Sequence, residues 1–157
     1  MKSRVAIAVV IVCCLLLLAG CERLELRSAI KLYDKGRYTD SLAMLEELAG
    51  SDNPKVRATA LLYRGFCYFK LSDYEQAAVE FKRIADELQE SKLHDDALFW
   101  LGRCYQVQGQ TDRALEYYQK VVNYPKKSKA YSNMKAMAAN YMRFINSHSD
   151  SRGIAPR

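Results

Sequence analysis

Small residues at Ala29, Gly65 and Gly102 stand 36 and 37 positions apart, and the same offsets return at every neighbouring landmark. Gly36, Ser72 and Gly109 form one column; Tyr38, Tyr74 and Thr111 the next; then Ser41, Ala77 and Ala114; Leu45, Phe81 and Tyr118; and Leu48, Ile84 and Val121. The aromatic column aligns Ala29-x3-Tyr33 with Gly65-x2-Tyr68 and Gly102-x2-Tyr105. A period of this length means a stack of supersecondary units, each burying its apolar face against the next.

Each unit reads as two amphipathic helices joined by a tight turn. Leu61, Arg64, Gly65 and Tyr68, then Ala77, Phe81, Ile84 and Leu88, fall at three- and four-residue spacings, which gives every helix one packing stripe. Asn53-Pro54 predicts a helix start, and Ser72-x-x-Glu75 reads as a capping box opening the second helix of its pair. No run keeps strand alternation, so the fold class is all-α.

The small columns have a packing reason. Gly65 and Gly102 are expected where the two helices of a hairpin cross, with Ala29 equivalent in the first unit, and Ala77 and Ala114 face them from the opposite helix. A branched side chain at Gly102 would cost about 1 to 3 kcal/mol by overpacking. After the third unit, Met134, Met137, Ala138 and Tyr141 repeat the first-helix stripe, with no second helix to follow. Stacked repeats need a terminal cap, and the helix at about 128–147 is expected to supply it, ahead of a polar tail at 148–157 holding Gly153 and Pro156.

These columns resemble the tetratricopeptide repeat. The clearest copy is Leu98-x2-Leu101-Gly102-x2-Tyr105-x3-Gly109, continuing through Ala114, Tyr118 and Val121 to Pro125. The first copy is weaker, with Glu25 where a large apolar residue is usual and Ser41 in place of alanine. The period exceeds the family's roughly 34 residues, which assigns two or three extra residues to the loops at 51–53 and 90–93. The resemblance implies an α-α hairpin solenoid of three repeats, at about 23–53, 54–91 and 92–125. It also implies a concave groove lined by first helices, whose ligand-facing positions lie off the packing stripe. Here those positions bring together Tyr33, Leu62, Phe66, Phe69 and Phe99, with Trp100 beside them and Lys70 and Arg103 as a basic rim. An apolar patch with a basic rim suits capture of a protein or peptide segment. The alternative reading makes the same aromatic face a homodimer surface.

The front of the chain supplies an address. Lys2 and Arg4 precede Val5 to Leu18, an unbroken apolar run of 14 residues. A bilayer-spanning helix needs about 20, so the run reads as the core of an export signal. Leu18-Ala19-Gly20-Cys21 then resembles the lipobox of bacterial lipoprotein signal peptides at all four positions. The resemblance implies cleavage after residue 20 and a covalent lipid on Cys21, with several acyl chains making a stable anchor. It places residues 21–147 as the folded domain, in the cell envelope and facing the periplasm. Glu22, where an aspartate would retain an enteric lipoprotein in the inner membrane, favours the outer one. Helical pattern begins at Arg23 or Leu24, with no flexible linker. Lipoproteins built of such repeats serve as envelope adaptors in barrel assembly, as pilotins, or in coordinating cell division and peptidoglycan enzymes.

Charge and cysteine usage narrow the function further. Losing Lys2 and Arg4 and no acid takes the formal +6 to +4 on 137 residues, too mild and too interspersed for nucleic acid. Lys126, Lys127 and Lys129 form only a small basic cluster in a loop. Cys13 and Cys14 leave with the signal, and Cys67 and Cys104, at equivalent sites two residues past their glycines, read as small core residues. Helix axes about 8 to 10 Å apart hold such sites too far for an ordinary disulfide. His94 and His148 stand in no metal or triad spacing, and His94-Asp95-Asp96 suits a helix start. No phosphate loop and no CxxC occur, so the expectation is a non-enzyme without catalytic residues, metal or cofactor beyond the Cys21 lipid. Metabolic labelling with a fatty acid should mark the purified product and fail on Cys21→Ser; an unlabelled product with its leader intact would remove the envelope address.

Overall fold

The computed structural model describes residues 20–124 and 129–150. The apolar run, Pro125, Lys126 and Lys127, and the tail from Ser151 lie outside the described residues. Among the described residues seven helices follow in order: α1 at 20–34, α2 Tyr38–Leu48, α3 Pro54–Lys70, α4 Tyr74–Glu87, α5 His94–Val107, α6 Thr111–Asn123 and α7 Lys129–Asp150. Neighbours in sequence pack on one another from α2 to α7, and α5 also meets α7. This is the all-helical repeat stack that the sequence period requires.

One turn is built three times. Gly36 N–H donates to the Tyr33 carbonyl (2.9 Å), Ser72 N–H to Phe69 (3.1 Å) and Gly109 N–H to Gln106 (3.1 Å). The following residue then reaches five back: Arg37 to Leu32 (3.0 Å), Asp73 to Tyr68 (2.9 Å) and Gln110 to Tyr105 (2.9 Å). That pair of bonds is the Schellman ending, and it demands a left-handed residue at its centre. Gly36, Ser72 and Gly109 have φ of 75°, 65° and 74°. Two corrections follow. Ser72 closes α3 and does not cap α4; the cap is Asp73, whose carboxylate accepts from Gln76 N–H at 3.1 Å. The hydrogen-bond register also equates Tyr33 with Phe69 and Gln106, one position off the column that set it beside Tyr68 and Tyr105. At the start of α3, by contrast, Asn53 caps as expected, accepting from Lys55 N–H at 3.0 Å with Pro54 in the first turn.

The glycine columns are crossings. A Cβ on Gly65 would lie 2.5 Å from the Phe81 ring, and one on Gly102 would lie 2.8 Å from the Tyr118 ring. Both rings are fully buried, as are Ala29, Ala77 and Ala114. In the first unit the buried Ser41 hydroxyl donates to the Ala29 carbonyl at 2.8 Å, so the serine that departs from the alanine column satisfies its own polar atom. Cys67 and Cys104 are buried free thiols. Burial pushes the Cys104 thiol up to about 12 and raises Cys67 too, partly countered by a hydrogen bond to Ser41, so neither is poised for reaction.

The last helix closes the stack through Ala138 and Ile145, both buried, with Met134, Tyr141 and Met142 packed beside them. Met137, assigned to that stripe from sequence, instead faces solvent at 46% exposure. The helix also continues to Asp150, past the expected end at 147, because no breaker occurs before Gly153. A non-glycine at a left-handed turn centre carries a backbone cost of about 1 to 2 kcal/mol. Ser72→Gly should therefore raise stability by about 1 kcal/mol, seen as a higher urea midpoint with an unchanged slope; a lower midpoint would show that the serine side chain holds the turn.

Candidate protein-binding face

The expected groove residues come from three first helices, and the structure divides them into two groups. Tyr33, Phe66, Phe69 and Trp100 are half-buried and form one continuous ring system, with Lys70 exposed beside it. Phe66 sits 5.0 Å from Trp100 and 6.1 Å from Tyr33, and Phe69 sits 5.3 Å from Trp100, the Trp100 contacts being edge-on. Edge-to-face pairs at these separations fix ring orientation as well as burying area. The pair Tyr33–Tyr38 at 5.5 Å recurs one repeat on as Phe69–Tyr74 at 5.1 Å, which is the corrected register seen in side chains.

Three members of the expected groove do not join that ring system. Leu62 is 6% exposed and Phe99 is 4% exposed, both in the core. Phe99 lies 5.9 Å from the Tyr118 ring and 6.2 Å from Tyr141, so the closing helix and α6 cover it. Arg103 is not a free rim cation. Its guanidinium donates to Gln106 Oε1 at 3.0 Å and lies 4.4 Å over the Tyr141 ring, pinning α5 to α7. The same Gln106 oxygen accepts from the Tyr118 hydroxyl at 2.7 Å, and burial raises that phenol above its usual range.

Sequence reasoning missed Tyr63, which lies 5.4 Å from Tyr33 and 5.7 Å from Phe66. The signal was available: Tyr63 and Trp100 both stand two residues before their glycines, so they are one column. It also missed a buried ionic network. Arg64, read only as part of a stripe, reaches Glu80 of α4 at 3.0 Å and Glu46 of α2 at 3.0 Å, while Arg83 lies 3.7 Å from Glu80. Arg64 and Glu80 are buried and Glu46 is exposed. Burial pushes the Glu80 carboxyl up despite both arginines, so desolvation outweighs the local attraction.

This arrangement offers packing and docking. His94 begins α5, as the His94-Asp95-Asp96 helix start suggested, with its ring 5.2 Å from Tyr124. Among the described residues no group of three or more metal-binding side chains gathers, and no helix is long and apolar enough to cross a membrane. Cys21 is exposed at the start of α1, its thiol donating to Glu25 at 3.2 Å.

Two family profiles match the chain. One, described as a tetratricopeptide repeat, covers residues 96–127, the third unit, where the sequence pattern is clearest. The other, described as the Csm6 6H domain, covers residues 21–111, or 91 of 157, more than half the chain. No curated protein matches it.

Removing Glu80 leaves the buried Arg64 with only the exposed Glu46 as an acidic partner. Glu80→Leu should cost about 3 kcal/mol in urea unfolding, whereas Arg64→Met with Glu80→Leu should recover most of that loss. A double variant as unstable as the two single losses added together would show that Arg64 and Glu80 act independently.

Proposed function

The chain belongs to the Csm6 6H domain family over residues 21–111 and is of tetratricopeptide-repeat type, and from that premise we propose a membrane-tethered, non-catalytic protein-binding adaptor in a bacterial envelope complex. Nothing of function is carried over from the Csm6 6H match; the reading rests on the repeat type and on this chain's own residues. Tetratricopeptide repeats mediate protein–protein interaction, and an all-helical stack of this type is typically non-catalytic. The single observation that carries the proposal is the continuous half-exposed ring system of Tyr33, Tyr63, Phe66, Phe69 and Trp100, with Lys70 beside it.

Aromatic rings held rigid by their neighbours lose little freedom on binding, which makes such a patch a favourable anchor for an apolar segment. Lys70 would meet an acidic residue at the segment's edge. The Leu-Ala-Gly-Cys stretch supports the tether, with a lipid on Cys21 holding the domain at the periplasmic side of a membrane, the outer one if Glu22 follows the sorting rule. The exposed position of Cys21 is compatible with that modification.

Photo-crosslinkers placed at Phe69 and Lys70 in cells should trap one discrete partner polypeptide. Phe69→Ala with Lys70→Glu should lose that crosslink from a probe at Trp100 while keeping stability within about 1 kcal/mol of wild type. Phe99→Ala should instead cost about 3 to 5 kcal/mol, as a core cavity does. Crosslinks leading only to a second copy of this chain would replace the adaptor with the homodimer reading.

A further inference from the structure

The opposite side of α1 is as distinctive as its aromatic side. Arg23, Arg27 and Lys31 of α1, with Lys35 one residue past its end and its N–H still bonded to the Lys31 carbonyl at 3.3 Å, recur every four residues, and all four are exposed. At 3.6 residues per turn they advance by about 40° a step, so they share an arc of about 120°. Leu24, 64% exposed, falls inside that arc. Among the described residues none of the four takes an ion pair.

The acids of this segment are disposed differently. Glu22 accepts from the Ser51 hydroxyl at 2.9 Å and Glu25 accepts from Cys21, which engages both within the domain. Only Asp34 shares the basic arc, at its far end. The outcome is a cationic stripe along one helix with a single apolar side chain in its midst, the composition of a helix that lies on an anionic interface.

Position selects the partner. The apolar run ends at Leu18, and α1 is already helical at residue 20. Whatever embeds the front of the chain therefore sits within a turn of Arg23. An upright α1 would lift Lys35 about 20 Å from the surface, beyond the roughly 8 Å over which charges act at physiological salt. A flat one brings all four cations within reach. We propose that α1 lies along the surface of an anionic lipid bilayer, its Arg23, Arg27, Lys31 and Lys35 against the headgroups and Leu24 between them.

The inference rests on the tether proposed above, and the full chain tests the two separately. Reconstituted into vesicles of phosphatidylcholine, with or without a third phosphatidylglycerol, the chain should float with both. An amine-reactive, membrane-impermeant reagent should modify Lys31 and Lys35 about tenfold more slowly on the anionic vesicles, with Lys92 unchanged as the reference. High salt, or Arg23→Glu with Arg27→Glu, should abolish the protection. Flotation without protection, or equal protection on neutral vesicles, overturns the stripe; failure to float with neutral vesicles overturns the tether alone.

Discussion

The close approach of paired helices at Gly65 and Gly102 is the constraint from which the rest of the structure follows. Each glycine gives its space to a ring from the partner helix, Phe81 or Tyr118, leaving no room for even a methyl group. In the first unit the exchange runs the other way: Ala29 has a methyl, and the partner position holds the slimmer Leu45, both fully buried. Small opposite large and slightly larger opposite slightly smaller let both kinds of crossing pack closely. With the crossings set, the stack can repeat and its first helices can align into one face.

That logic explains what the sequence could and could not tell. The small columns, the Asn53 cap and the buried cysteines were legible because each follows from local spacing or from volume. The aromatic register was not, since Leu32 occupies the position held by Tyr68 and Tyr105, and the eye follows the ring to Tyr33 instead. Only the turn's hydrogen bonds restore the true alignment. Ser72 misled for a related reason: serine is a common cap and a rare left-handed residue, so the commoner role suggested itself. Arg64 was legible as a stripe residue but its ion pair with Glu80 was not, because the pairing depends on how α2, α3 and α4 pack and no local spacing encodes that.

The aromatic face shows how a terminal helix edits a repeat. By the repeat offset Arg103 is the equivalent of the half-buried Phe66, and Phe99 is the equivalent of Leu62, which is buried in the second unit too. In the third unit α7 lays Tyr141 near Phe99 and beneath Arg103. The third repeat thereby gives Arg103 to closing the stack, while Trp100 stays in the half-buried ring system with Tyr33, Phe66 and Phe69. An expectation built on repeat equivalence treats all units alike, and the end of a solenoid is where that equivalence fails.

Helix α1 joins the two surfaces. Tyr33 lies about 140° around the helix from the centre of the basic stripe, on the side where it meets Tyr63 and Phe66. If the cations face headgroups, the ring system faces away from them. Under the proposed tether, with no linker before α1, the domain would otherwise risk burying the proposed docking surface in the bilayer, and a flat α1 would resolve that conflict by fixing the roll of the whole stack. Orientation would then be set by one helix, through charge on one side and aromatic packing on the other.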